Sequence, residues 1–264
     1  MPHAVSAFDS RVLRAIQRML SALDDLEPRR VTALRAAPAT GSPAANDRML
    51  PEARYVTIYA GQTSDAALDH LRAWRLLAHG PLIPVRSHLT LMRATLESAD
   101  RCRWHVDDSV DAGTRIGRAI ATRRADQVER SKFEASTEWG PVRPVKHGKT
   151  AIERLAELDD PARLEAREKA GVREVGYTDT TTLMVRYGHE RWYRISSGLG
   201  HAKEWALAAT ALTRSTDPPL LPGSGEGVFS ASEPATLAMT KTAVDATKAA
   251  IEDLEVYVGM RPVD

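Results

Sequence analysis

One segment of the sequence, residues 192–202 (WYRISSGLGHA), combines residue types that could break a phosphodiester bond. Arg194 and His201 are seven residues apart, and seven steps of about 100° bring both side chains to one helix face, with Ser197 between them. Histidine can take a proton from a ribose hydroxyl near neutral pH, and arginine can hold the phosphate and offset its developing charge. This chemistry needs no metal ion or other cofactor. The spacing therefore predicts Arg194, Ser197 and His201 as catalytic residues.

Four further side chains could bind a substrate beside this helix face. Trp205 follows His201 by one helical turn, and its ring could stack on a nucleobase. Arg93 and Glu97 form an i,i+4 pair on an earlier helix and could line the same cleft. Together with Tyr193, which precedes the arginine, they are the predicted binding residues: Arg93, Glu97, Tyr193 and Trp205.

Two glycines, Gly198 and Gly200, interrupt the same helix. Each costs about 1 kcal/mol of helix stability relative to alanine, so a local contact should offset that loss. Without side chains, they allow a ligand or another backbone to come close. A purely structural role is the alternative, in which Tyr193, Ser197 and His201 hydrogen-bond between packed helices.

This arginine–histidine pattern resembles the HEPN superfamily of helical proteins. The likeness lies in an arginine followed a few residues later by a histidine on a late helix, and it extends to related actinobacterial helical proteins. In those, a Tyr-Arg-x-x-Ser-x-x-x-His stretch follows an earlier helix like Leu91–Glu97, with a tryptophan nearby, here Trp104. The resemblance implies a helical bundle that forms a homodimer and cleaves RNA without a metal ion. It would make Arg194 the phosphate-binding residue and His201 the base.

Two other functions fit the same residues. A non-catalytic interaction or dimerisation module, of the kind used in defence or toxin–antitoxin systems, is favoured by the near-neutral charge and by Ile195, where the family usually has a polar residue. Its protein partner is unknown. A bundle enclosing a small-molecule pocket would instead place an apolar cavity beside Trp74, Trp104 and Trp205. The position of His201 distinguishes these functions: a shared dimer cleft, a sealed core or an apolar pocket.

Composition limits the class of protein. The chain has 264 residues, of which 43% are hydrophobic and only 5% aromatic, and its net charge is +1. This charge gives no argument for a polyanionic or membrane partner. The single cysteine, Cys102, excludes an intrachain disulfide and fits a reducing compartment. No signal-like segment occurs in residues 1–9, and no apolar run reaches the ~20 residues that span a bilayer. We therefore expect a cytoplasmic protein without membrane contact.

The elements that must position the site residues are helices, because good helix formers dominate and apolar residues recur at helical spacing. We expect an all-α protein, an antiparallel helical bundle of about six to eight helices in a single domain over residues 1–264. Pro28 should interrupt the first helix, and a second short helix should follow it to Ala37. Thr63–Asp65 should cap the next long helix, and the site helix should run over 190–213. Three stretches should lie outside the bundle: loops at 38–51 and 215–231 and a surface insertion at 140–171.

Overall fold

The computed structural model describes residues 5–6, 8–80, 83–84, 86–136, 148–201, 203, 205–206, 212–214, 227–229 and 232–261. Across these residues the protein is all-α, as predicted. Its helices are α1 (Ser10–Leu20), α2 (Leu23–Arg35), α3 (Pro43–Asp47), α4 (Arg54–His79), α5 (Ser87–Val106), α6 (Ala112–Ser136), α7 (Ala151–Leu158), α8 (Pro161–Lys169), α9 (Thr180–Arg186), α10 (Glu190–Gly200) and α11 (Glu233–Val258). Short strands form two antiparallel pairs, β1 (Val5–Ser6) with β2 (Ile83–Pro84) and β3 (Leu212–Arg214) with β4 (Gly227–Phe229).

The chain divides into two compact units, each assembled from three stretches of sequence. The first unit comprises Met1–Thr32, Gln62–Arg103 and Asp179–Glu252, and the second comprises Ala33–Gly61, Trp104–Thr178 and Asp253–Asp264. The helices α4, α5 and α11 contribute residues to both units. The single domain expected from the sequence stays a prediction.

The core of the first unit is built on the apolar face of α4. Leu68, Leu71 and Trp74 recur every three residues on that face and are fully buried. The Trp74 indole Nε1 donates to the Thr240 hydroxyl at 3.0 Å, and its ring stacks on His88 with 5.1 Å between centroids. Because the indole has both an apolar neighbour and a hydrogen-bond acceptor, its burial leaves no polar group unsatisfied.

The second unit encloses a buried ion pair. The carboxylate of Asp47, at the end of α3, accepts hydrogen bonds from Arg115 Nε and Nη2, the latter at 2.7 Å, and from the Tyr257 hydroxyl at 2.9 Å. Ser42 caps α3 by accepting from the Ala45 backbone N–H. This corrects the prediction of a loop over 38–51, which contains a helix there. The glycine and proline content of this segment predicted a loop. The Ser42 cap and the burial of Asp47 against Arg115 and Tyr257 stabilise a short helix instead.

Two helix boundaries differ from those predicted. The helix expected to begin at Thr63–Asp65 begins at Arg54, because Val56, Tyr59 and Ala60 are buried and form an apolar face that continues α4 toward its N-terminus. Pro28 does not interrupt its helix but lies inside α2, where its side chain is exposed. In the described residues, no helix is long and apolar enough to cross a membrane.

The stretches predicted to lie outside the bundle contain ordered elements where they are described. The surface insertion at 140–171 contains α7 and α8, and α8 is mostly exposed, with Arg167 as its buried residue. The loop predicted at 215–231 contains β4, and its other residues lie outside the described part of the chain. The helix predicted over 190–213 ends at Gly200, and residues 212–214 form β3 instead.

Candidate functional site

The helix α10 presents one buried and one exposed face. Its buried residues are Ser196, Gly198 and Leu199. On the other side, Arg194 is exposed and Ser197 is half-buried, and His201 is exposed as the C-cap, its backbone N–H bonding to the Ser197 carbonyl at 3.0 Å. The helix ends here because the Lys203 N–H turns back to the Gly198 carbonyl at 2.7 Å. The three predicted catalytic residues therefore lie on the side of α10 and its C-cap away from the buried Ser196, Gly198 and Leu199.

Arg194 is held by a neighbour on its own helix. Its Nε donates to Glu190 Oε1 at 2.7 Å, and its side chain remains 61% exposed. Such an exposed i,i+4 pair stabilises a helix by only a few tenths of a kcal/mol, so an incoming phosphate can displace it. Among the described residues, no hydrogen bond joins the side chains of Arg194, Ser197 and His201. They share a surface without contacting one another.

Three of the predicted binding residues do come together in the structure. Arg93 Nε donates to Glu97 Oε1 at 2.6 Å along α5, as the i,i+4 spacing predicts. The Arg93 guanidinium also lies over the Tyr193 ring of α10, 4.8 Å from its centroid. This cation–π contact attaches α5 to the helix that carries Arg194. The carboxylate fixes the guanidinium, and the guanidinium positions the tyrosine ring.

Trp205, the fourth predicted binding residue, is 54% exposed. Its indole packs against Gly198, where a Cβ atom would lie 2.8 Å from the ring and 2.6 Å from the Ala206 Cβ. At Gly200, by contrast, a Cβ would meet nothing within 4 Å. The close approach predicted at the glycines is therefore made at Gly198, by the protein's own tryptophan. A tryptophan held in this way keeps about half of its surface accessible to a partner.

Sequence reasoning missed a hydrogen-bonded histidine–aspartate contact that anchors the beginning of α10. The His189 Nδ1 lies 2.8 Å from the Asp100 carboxylate of α5, and Asp100 is completely buried. Burial raises the pKa of Asp100, while the hydrogen bond and charge of His189 and the charge of Arg103 lower it. The other carboxylate oxygen of Asp100 has no hydrogen-bond partner among the described residues. A lone acidic residue on a helix gave no signal of this contact.

The three tryptophans predicted to line an apolar cavity have different surroundings in the described residues. Trp74 is enclosed in the core of the first unit, and Trp205 is exposed. Trp104, in the second unit, is covered by the Arg118 guanidinium, 5.1 Å from its ring. The described residues contain no group of three or more His, Cys, Asp or Glu side chains that could hold a metal ion.

Comparison of the chain with protein-family models, with curated proteins and with solved structures finds no match. A function can therefore be inferred only from the residues of this chain.

Proposed function

We propose that the surface of α10 and its C-cap that carries Arg194 and His201 binds RNA and cleaves it without a metal ion. The observation that supports this proposal is the joint exposure of Arg194 and His201, since a polymer too large for a pocket can reach both side chains. Both side chains are exposed, so neither is enclosed in a core of the described residues. An exposed histidine beside an exposed arginine has the two groups that ribose-assisted cleavage requires.

In the proposed reaction, His201 removes the proton of a ribose 2′-hydroxyl. The 2′-oxygen then attacks the adjacent phosphorus, and the bond from phosphorus to the 5′-oxygen breaks. The departing 5′-oxygen takes a proton from the imidazolium formed in the first step, so the histidine ends neutral. Arg194 stabilises the charge that develops on the non-bridging oxygens. The products are a 2′,3′-cyclic phosphate and a 5′-hydroxyl.

In a homodimer, Arg194 of one copy would lie closer to His201 of the other copy than the two residues lie within one chain. Seven residues of helix separate them by about 10 Å along the axis, which is long for two groups acting on one phosphate. If two copies of α10 crossed antiparallel near Ser197, the arginine of each copy would face the histidine of the other, because Ser197 lies midway between them. The dimer expected from the family resemblance would thus supply two equivalent sites.

The neighbouring side chains suit the bases and backbone of an RNA strand. The exposed ring of Trp205 lies four residues beyond His201 and could stack a base. The Arg93 guanidinium, half-buried over Tyr193, lies beside α10 and could exchange its Glu97 partner for a phosphate. These contacts would hold a single strand across the catalytic pair without reading its sequence.

The test is incubation of the purified protein with RNA in chelator, using wild type, His201→Ala and His79→Ala. His79 is an exposed histidine on α4 and serves as the matched control. We expect cyclic-phosphate ends from the wild type and the control, and a loss of at least ~100-fold in rate from His201→Ala, as is typical for removal of a general base. Cleavage by His201→Ala at the wild-type rate would refute the assignment.

A non-catalytic interaction module in a defence or toxin–antitoxin system is the second candidate. It is favoured by the Glu190 pair that occupies Arg194 and by two exposed apolar side chains, Val185 and Trp205, each 54% exposed. This candidate predicts that the wild type neither binds nor cleaves RNA. It also predicts that Trp205→Ser weakens self-association measured by sedimentation, while Arg194→Ala leaves it unchanged.

A further inference from the structure

A cleft of about 780 Å³ opens in the second unit, and none of its lining residues belongs to the site proposed for RNA. Its walls come from the end of α2, from α3, from the turn before α4 and the first turns of α4, and from α8 and the end of α11. A volume of this size is within the range of pockets that hold small organic ligands. Since its residues come from three distant stretches, 33–58, 163–167 and 254–258, no sequence pattern announces it.

The walls of the cleft are aliphatic. Leu254, Ala44 and Val258 are buried at its base, and Ile58 is 44% exposed on its side. Tyr257 is the aromatic residue in the wall, but only 2% of it is exposed, and its hydroxyl donates to Asp47. The cleft therefore offers apolar surface for a hydrocarbon chain and no free ring face for stacking a nucleobase.

The charged side chains of the cleft are mostly positive. The lining includes one carboxylate, that of Glu52, and four arginines: Arg48, Arg54, Arg163 and Arg167. Glu52 is taken up by Arg167, which donates from Nε at 2.6 Å and from Nη2 at 2.8 Å. Arg48 and Arg54 are exposed, and no carboxylate of the described residues pairs with either. Two guanidinium groups are thus available to an anion at the mouth of the cleft.

The rim of the cleft is also where the described backbone is strained. Glu52 has φ 66°, and it is the only described residue other than glycine with a positive φ. The bidentate pair with Arg167 holds it there, and Arg167 Nη1 also donates to the Leu158 carbonyl at 2.8 Å. Strained residues cluster at binding sites because the surrounding contacts must enforce them. Here the Glu52–Arg167 pair both holds the strained residue and joins α8 to the turn that precedes α4.

We infer that this cleft binds an amphiphilic anion, an alkyl or acyl chain that ends in a carboxylate or a phosphate. The chain would lie on the aliphatic base, where apolar burial drives binding. The head group would meet Arg48 and Arg54, whose planar guanidinium groups match the oxygens of a carboxylate or a phosphate. The inference does not depend on the proposed RNA function, because the residues of the two sites are different.

Isothermal titration of the full chain with decanoate and with decyl phosphate, each below its micelle concentration, tests the inference. Decanol, decyltrimethylammonium and inorganic phosphate are the control ligands. We expect both anionic amphiphiles to bind at least ten-fold more tightly than decanol, and the cation and inorganic phosphate not to bind measurably. Equal affinity for decanol would refute the role of the arginines, and equal affinity for inorganic phosphate would refute the role of the aliphatic base.

Variants locate the binding. Arg48→Gln and Arg54→Gln should each weaken decanoate binding about ten-fold, because each removes a charge-assisted hydrogen bond. Arg14→Gln, which changes an exposed arginine of α1, should not weaken it.

Ala166→Trp should fill the cleft and abolish binding. Ala162→Trp, also exposed on α8 but outside the cleft wall, should leave it unchanged. Wild-type affinity in Ala166→Trp would place the ligand elsewhere and overturn the inference.

The same chemistry occurs in a free fatty acid and in a membrane lipid. Flotation with vesicles containing phosphatidic acid distinguishes these sources. If the ligand is taken from a bilayer, the wild type should float with the vesicles and Ala166→Trp should not. If it is taken from solution, neither should float, and the titration with decanoate remains positive. Flotation of both proteins alike, with no decanoate binding, would contradict the cleft as the site.

Discussion

Replacing Gly198 by alanine should destabilise the protein, whereas the same change at Gly200 should not. Both glycines lie in the last turns of α10, and neither has a positive φ. A methyl group at Gly198 would lie 2.6 Å from the Ala206 Cβ and 2.8 Å from a ring carbon of Trp205, while one at Gly200 would meet nothing within 4 Å. The two variants therefore have the same chemistry and differ in the space that is available.

The expected magnitude follows from these distances. At either position, alanine restricts the unfolded chain more than glycine and should add about 0.5–1 kcal/mol to the free energy of unfolding. At Gly198 the methyl group must also move Trp205 and Ala206 from contacts that are about 1 Å too short, and overpacking of this kind costs about 1–3 kcal/mol. Comparing the variants cancels the backbone contribution. Gly200→Ala should therefore be more stable than Gly198→Ala by about 1–3 kcal/mol.

Thermal unfolding followed by circular dichroism measures this difference. For a chain of this size, each kcal/mol moves the Tm by about 2–4 °C. Tryptophan fluorescence of the folded variants provides a second readout, because a displaced Trp205 should change its emission only in Gly198→Ala. Equal Tm values and equal emission spectra in the two variants would refute the packing of the indole against Gly198. That result would also remove the contact that positions Trp205 for base stacking.

Two further predictions concern buried carboxylates. Burial raises the pKa of Asp100 above its ordinary value near 3.8 and outweighs the hydrogen bond from His189, so the folded chain binds this proton more tightly than the unfolded chain. Wild type should therefore gain stability relative to Asp100→Asn as the pH falls from 7 through the folded pKa of Asp100. Urea unfolding of both proteins at several pH values measures this. A stability difference that does not change with pH would contradict the prediction. Asp47→Ala leaves Arg115 buried without its carboxylate and should lower the free energy of unfolding by about 3–5 kcal/mol. The control, Asp159→Ala, removes a half-exposed ion pair and should cost less than about 1 kcal/mol in the same urea experiment, so equal losses in the two variants would contradict the buried pair.

The helices themselves could be predicted because their apolar residues recur at the period of the backbone. In α5, for example, Leu89, Met92, Leu96, Ala99 and Cys102 recur every three or four residues, and all are buried. This periodicity is a local property, since each residue is placed on its face by the 100° turn alone. The pair of Arg93 and Glu97 on the same helix is local for the same reason.

The helix ends were less predictable because tertiary contacts decided them. Residues 38–51 have the composition of a loop, yet Asp47 ends a helix and is buried by Arg115 and Tyr257, which are 68 and 210 residues away. The site helix was expected to continue past His201, but it ends at Gly200. The two glycines weaken it locally, and the return of Trp205 onto Gly198 occupies the space beside its last turn.

The sequence by itself determined that this protein is all-α, that Arg194 and Glu190 share a helix turn, and that Arg93 can reach Glu97. Only the tertiary structure decided that Arg93 meets Tyr193, and that Asp100 is buried against His189. The cleft is likewise tertiary, because its arginines and its aliphatic base come from distant stretches of the chain. The physical reason is range: helix periodicity acts over four residues, whereas burial and charge pairing depend on which elements pack together.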